Sequence, residues 1–140
     1  MAIVDSQTGS TRRDFSLDEL VDQARQMRAW NMMAITAAGS GHSGGTLSIM
    51  DVAAALYLKH ARHDPRNPEW PDRDRIFWST GHKAPALYVA LAFAGYFDDR
   101  KVTFNGEPVP GLENVSGVEQ TVLLRRLGSG FEGHPNRFKV

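Results

Sequence analysis

Only one run in this 140-residue chain reads as a buried strand, Arg75-Ile-Phe-Trp-Ser79, and one strand cannot make a sheet. The run is short and apolar, bounded by charge on one side and by Thr80-Gly81 on the other, as a strand inside a parallel α/β sheet would be. The periodicity around it is helical. The expected fold class is therefore α/β: the opening portion of a larger fold, mostly helical, with a short buried parallel strand and an edge hairpin.

The helices announce themselves by their ends. Ser16 and Glu19 form a capping box, and Leu17, Leu20, Val21, Ala24 and Met27 follow at helical spacing until Gly39 stops the run near Ala38. Residues 1–15 ahead of it are mainly polar and are expected to be a flexible tail, leaving 16–140 as one folded unit. Ser48 with Asp51 predicts a second helix start, followed by Met50, Ala53, Ala54, Leu56, Tyr57 and Ala61. The segment HDPRNPEWPDRDR, with three prolines and seven charges, reads as a surface loop. A helix from Lys83 to Ala94 carries Pro85 in its first turn and meets Gly95 at its end. Residues 102–109 predict a hairpin on the Asn105-Gly106 turn, restricted to an edge by Pro108, and 118–127 predict a last short helix.

Charge and composition exclude several classes. Sixteen basic residues balance sixteen acidic ones, so no global field draws the chain to nucleic acid or an anionic membrane. There is no cysteine for a disulfide or a thiolate metal site. No run reaches the roughly 18 apolar residues of a membrane span, and the N-terminus lacks a secretory apolar core. A cytoplasmic protein without nucleic-acid or membrane partners is expected.

The chemistry gathers in three glycine turns. His42 lies in AGSGHSGGTLS, a stretch with four glycines, three serines and one threonine. His82 follows Gly81 at the mouth of a helix, and His134 stands between Gly133 and Pro135. Glycine lets a ligand approach the backbone closely, and imidazole offers a donor or acceptor near neutral pH. A strand-to-helix junction such as that of His82 is also where open α/β sheets bind ligands, beside amides that favour anions. A lone loop histidine is most often simply solvated; three in the same setting predict one histidine-lined cleft. Zinc is disfavoured, because no two of the three have ligand spacing and no carboxylate pairs with them. His60 and His63, in KHARHDP, are expected to be solvated charges at a helix C-terminus.

Three stretches, GSGHSGGTLSIMDVAAALY, DRDRIFWSTGHKAPALYVALAFAGYF and LRRLGSGFEGHPN, together resemble the N-terminal diphosphate-binding region of transketolases. The resemblance runs from about Leu20 to Asn136, interrupted by a longer connection over 101–119 that carries the expected hairpin. Deoxyxylulose phosphate synthases and 2-oxoacid dehydrogenases share the cofactor fold, but the paired Gly-His-Ser-Gly-Gly and Leu-Gly-Ser…Gly-His-Pro motifs look more like transketolase.

The resemblance implies thiamine diphosphate with Mg²⁺, and transfer of a two-carbon ketol unit from a ketose phosphate to an aldose phosphate. It implies that His82 binds the cofactor diphosphate. His42 and His134 would contact sugar hydroxyls near the reacting carbon and relay protons, with Ser40 and Ser129 supporting substrate binding; Lys83 is expected to remain solvated. The Gly-Asp-Gly motif and downstream asparagine that hold Mg²⁺ in transketolases are absent from these residues, so no metal ligand is expected here. The implied activity therefore needs further segments, or an oligomer with a pyrimidine-binding domain or subunit. The alternative expectation is a catalytically inactive truncated relative that serves as an interaction or assembly module.

Overall fold

The computed structural model describes residues 3–104 and 107–136. Helix α1 (Leu17–Ala38) starts at the expected capping box: Glu19 N–H donates to Ser16 Oγ at 3.3 Å, and Ser16 N–H donates to Glu19 Oε2 at 2.7 Å. It ends where Gly39 turns left-handed at φ 65°. Leu20, Ala24, Met27, Asn31, Ala34 and Ile35 are its buried face, spaced by threes and fours, so that one stripe of side chains meets the core.

Helix α2 (Ser43–Ser48) and α3 (Met50–Ala55) follow, with a wider π-turn over Leu56–His60. The helical start expected at Ser48 is thus already passed at Ser43, and Ser48 Oγ donates to Gly45 O instead of capping. Gly44 and Gly45 read as loop because glycine disfavours helix. Tertiary bonds described below override that preference. Asp51 does sit in the first turn of α3, where it takes the Arg28 guanidinium at 3.0 and 2.6 Å.

Helix α4 (Ala84–Ala94) has Pro85 at its start and Gly95 at φ 99° at its end, as expected. Ala84, Ala86, Tyr88, Val89, Ala90, Ala92 and Ala94 are all buried, so α4 is the centre of the molecule. On one side lie Met27, Met50, Leu58 and Val89; on the other lie Ala34, Tyr88, Phe97, Leu124 and Phe131.

The strand expected over 75–79 finds no ladder partner among the described residues. The segment is still laid out with alternating faces: Ile76 and Trp78 pack on the core, while Phe77 is 90 % exposed. Apolar alternation orients side chains, but a strand exists only through a neighbour's hydrogen bonds. Among the described residues the strands form two short antiparallel pairs. One joins β1 (Ile3–Val4) to β2 (Thr11–Arg13) in the segment expected to be flexible. Asp5 Oδ1 accepts from Gln7 and Thr8 N–H at its turn, and Val4 N–H donates to His63 O at 2.9 Å. Ile3 and Val4 are buried, so the hairpin is docked rather than frayed. The other joins β3 (Thr103–Phe104) to β4 (Glu107–Pro108), the edge hairpin expected from sequence; its Asn105-Gly106 turn lies outside the described residues.

Two further expectations are corrected. Residues 118–127 form no α-helix but a tighter 3₁₀ segment, Gly117–Leu123, that breaks at Leu124. His63 is not solvated: it is 3 % exposed, and its Nε2 donates to the Tyr57 carbonyl at 2.8 Å. That leaves Nδ1 to accept from the Tyr96 hydroxyl at 3.1 Å, with the two rings stacked at 5.5 Å. Burial pushes its pKa below the ordinary histidine value, against the partial opposition of the Tyr57 bond and of Asp64 and Asp74. His60 is exposed, as expected. Among the described residues no helix is long and apolar enough to cross a membrane.

Candidate active site

His42 is the residue at the N-cap of α2, and its position is set from below. Asn31, fully buried in the apolar stripe of α1, donates from Nδ2 to Thr46 Oγ1 at 2.9 Å. The Thr46 hydroxyl in turn lies 2.8 Å from His42 O and 3.0 Å from Ser43 O, donating into the start of the helix. A buried, nearly satisfied polar chain of this kind specifies one arrangement, because breaking it strands groups away from water. Among the described residues Asn31 Oδ1 has no hydrogen-bond partner. Neither residue is among those the sequence motifs single out, although a lone asparagine on a helix's apolar face is a legible sign.

His82 lies in the 3₁₀ turn Gly81–Lys83 that leads into α4. Its ring meets that of His42 edge-on, with centroids 5.2 Å apart at 73°. The Lys83 stem lies over Gly45, where a Cβ would stand 3.1 Å from Cε; Lys83 is half-buried rather than fully solvated.

His134 arrives from the far end of the chain. A Cβ on Gly81 would fall 2.6 Å from His134 Cδ2, closer than any side chain tolerates, so His134 stands directly against the backbone beside His82. Phe131 anchors this last loop: it is buried edge-on against Tyr88 and Phe97, and Tyr88 OH donates to Glu132 O at 2.8 Å. The three Gly-His turns therefore form one cluster, with all three histidines exposed to solvent.

The two serines are held in different ways. Ser40 Oγ accepts from Arg125 Nη1 at 2.8 Å. Ser129 Oγ donates to Leu123 O at 2.8 Å, within its own loop. Ser129 and His134 line an open cleft of about 460 Å³, together with Arg125 and Arg126. The β3–β4 hairpin reaches the rim of the same loop, where the Phe104 ring covers Gly128. No group of three or more histidine, aspartate or glutamate side chains among the described residues is arranged to hold a metal ion. Chemically, the cluster offers imidazole donors to an anion or to hydroxyls at the N-terminal end of α4; the open cleft beside it is lined by His134 but not by His42 or His82, so the expected cleft lined by all three is corrected to one histidine.

Comparison with known proteins follows the same lines. Residues 20–104 match the family model described as transketolase, thiamine diphosphate binding domain. The chain is 41 % identical over 117 residues to a 6-deoxy-6-sulfo-D-fructose transketolase subunit, SqwG, of Clostridium sp., covering 81 % of this chain and 42 % of that protein. It is 41 % identical over 108 residues to transketolase 2 of Aliivibrio fischeri and 37 % identical over 108 residues to transketolase 2 of Vibrio parahaemolyticus, in each case 67 % of this chain and 16 % of the relative. The chain thus spans less than half the length of these relatives. With a match that covers α1 to β3 and includes the turns of His42 and His82, the chain belongs to the transketolase family, in its thiamine-diphosphate-binding domain.

Proposed function

We propose that this chain is the diphosphate-binding portion of a transketolase, acting with further segments or a pyrimidine-domain partner in the cytoplasm. The reading rests on one observation, the convergence of His42, His82 and His134 from three separate glycine turns. The donor set fits an anionic cofactor: His82 stands at the entry to α4, where helix amides and imidazole favour phosphate oxygens. It does not fit a cation, so Mg²⁺ would take its ligands from residues other than the described ones. When bound, thiamine diphosphate supplies the electron sink that permits cleavage beside a carbonyl.

The roles of this chain's residues follow from their chemistry. His82 would hold a phosphate oxygen by a charge-assisted bond. His42, in contact with it, and His134, against Gly81, would face the hydroxyls of the transferred fragment and move protons on and off oxygen near neutral pH. Ser129, on the cleft wall, would contact substrate. Ser40 would act by supporting its turn. The substrates would be ketoses and aldoses carrying an anionic group, a phosphate or, as the name of the Clostridium relative suggests, a sulfonate.

Thiamine diphosphate binding in the presence of Mg²⁺, measured for the chain alone and with a pyrimidine-domain partner, tests the proposal. His82→Ala should weaken the partnered affinity by about 1–3 kcal/mol. His42→Ala and His134→Ala should lower turnover more than affinity. Negligible binding in both settings would overturn the reading. One observation favours a second reading, an assembly module without catalysis: Phe77 and Leu127 are each 90 % exposed, as contact residues for another chain would be.

A further inference from the structure

Arg125 is where the loop carrying His134 reaches the turn carrying His42. Its Nη1 donates to Ser40 Oγ at 2.8 Å, two residues before His42. The same guanidinium lies against Gly133, the residue before His134: a Cβ there would stand 2.9 Å from Nε and 3.3 Å from Nη2. Any side chain at that position would push the guanidinium away. One planar group therefore touches both turns.

The backbone at this position is set for the task. Arg125 has φ 59°, alone among the described non-glycine residues in being positive. Arginine has no special tolerance for that region, so surrounding bonds must hold it. Arg125 N–H donates to Phe131 O at 2.7 Å, and the neighbouring Arg126 donates from Nη2 to Ala37 O at 3.0 Å. Ala37 lies in the last turn of α1, whose open carbonyls attract a cation. Arg125 is itself exposed and belongs to neither apolar cluster, so its side chain contributes little by burial.

We infer that Arg125 is a positioning residue: its guanidinium, between Ser40 and Gly133, fixes the His42 turn relative to the His134 turn. The inference rests on the reading of the three histidines as one site, and deepens it. The planar guanidinium reaches both turns, donating to Ser40 and packing against Gly133, whereas a lysine ammonium would reach Ser40 alone.

The test uses the whole chain and the ring signals of His42 and His134 in histidine-selective nuclear magnetic resonance spectra. Arg125→Gly removes the fork while favouring the left-handed backbone. It should leave the melting midpoint nearly unchanged and shift both rings. Arg125→Lys should restore the His42 signal but not that of His134. Ser40→Ala deletes one exposed oxygen, and it should move the His134 signal although Ser40 lies on the other turn. The double variant should show no more displacement than Arg125→Gly alone. A His134 signal unmoved by Ser40→Ala would overturn the inference, and would do so even if Arg125→Gly failed to fold. Titration with thiamine diphosphate and Mg²⁺ in the partnered state separates the two claims. Coupled rings that ignore the titrant would leave Arg125 in its role and sink the functional reading. Rings that answer the titrant but not each other would do the reverse.

Discussion

Asn31 is fully buried between Met27 and Ala34, and its amide goes to Thr46 under the turn of His42. Thr46→Val keeps the shape and removes the hydroxyl, leaving the Asn31 amide without its partner and the His42 carbonyl with the Thr46 N–H alone. The expected loss is about 1–3 kcal/mol in urea unfolding, with displacement of the His42 ring signal. An unchanged midpoint would mean that water replaces the hydroxyl. His63 makes a different prediction. Its folded-state pKa is depressed by burial, so below the ordinary histidine pKa the unfolded chain binds the proton more readily than the folded one. Stability should therefore hold above that value and fall as pH drops through the depressed one, before most carboxylates titrate. Urea midpoints between pH 8 and 5 measure this, and His63→Gln should flatten the slope. A wild-type slope that survives the substitution would assign it to other groups.

At the level of elements, the helices with local stop and start signals are those that sequence alone describes well. Ser16 and Glu19 satisfy the first amides of α1, and Ser16→Ala should cost about 1 kcal/mol, read as a lowered urea midpoint. Arg75–Ser79 is the opposite case. Its side-chain alternation is correct, yet its status as a strand depends on a neighbour that composition cannot supply. The loop 131–134 is held to α4 by Phe131 and by Tyr88, whose pKa is raised to about 12 mainly by burial. Tyr88→Phe keeps the packing and loses the bond to Glu132 O. It should cost about 0.5–1.5 kcal/mol. Amide exchange should quicken in 131–134 while α4 remains protected; equal exchange in both variants would show that Phe131 holds the loop unaided.

Across the whole molecule, two apolar clusters meet on α4, and the three histidines meet at one surface where the α1–α2 turn, the turn into α4 and the 131–136 loop come together. Among the described residues Phe77 and Leu127 are the most exposed large apolar side chains, ahead of Leu17 at 79 %. Sedimentation should detect self-association or partner binding that weakens in Phe77→Ser or Leu127→Ser. A clean monomer at high concentration, indifferent to a partner, would contradict both the oligomer and the assembly-module readings.

The ends of α1 and α4 and the three Gly-His turns follow from local sequence alone. A capping box, a proline in a first turn and a glycine past a helix end all act within a few residues, where chain connectivity already enforces proximity. That Gly44 and Gly45 lie in a helix, that His63 is buried and that Arg125 joins Ser40 to Gly133 is settled by the folded chain. Those outcomes depend on contacts between residues far apart in the chain. Their free energy comes from burial and hydrogen bonds that no local pattern encodes.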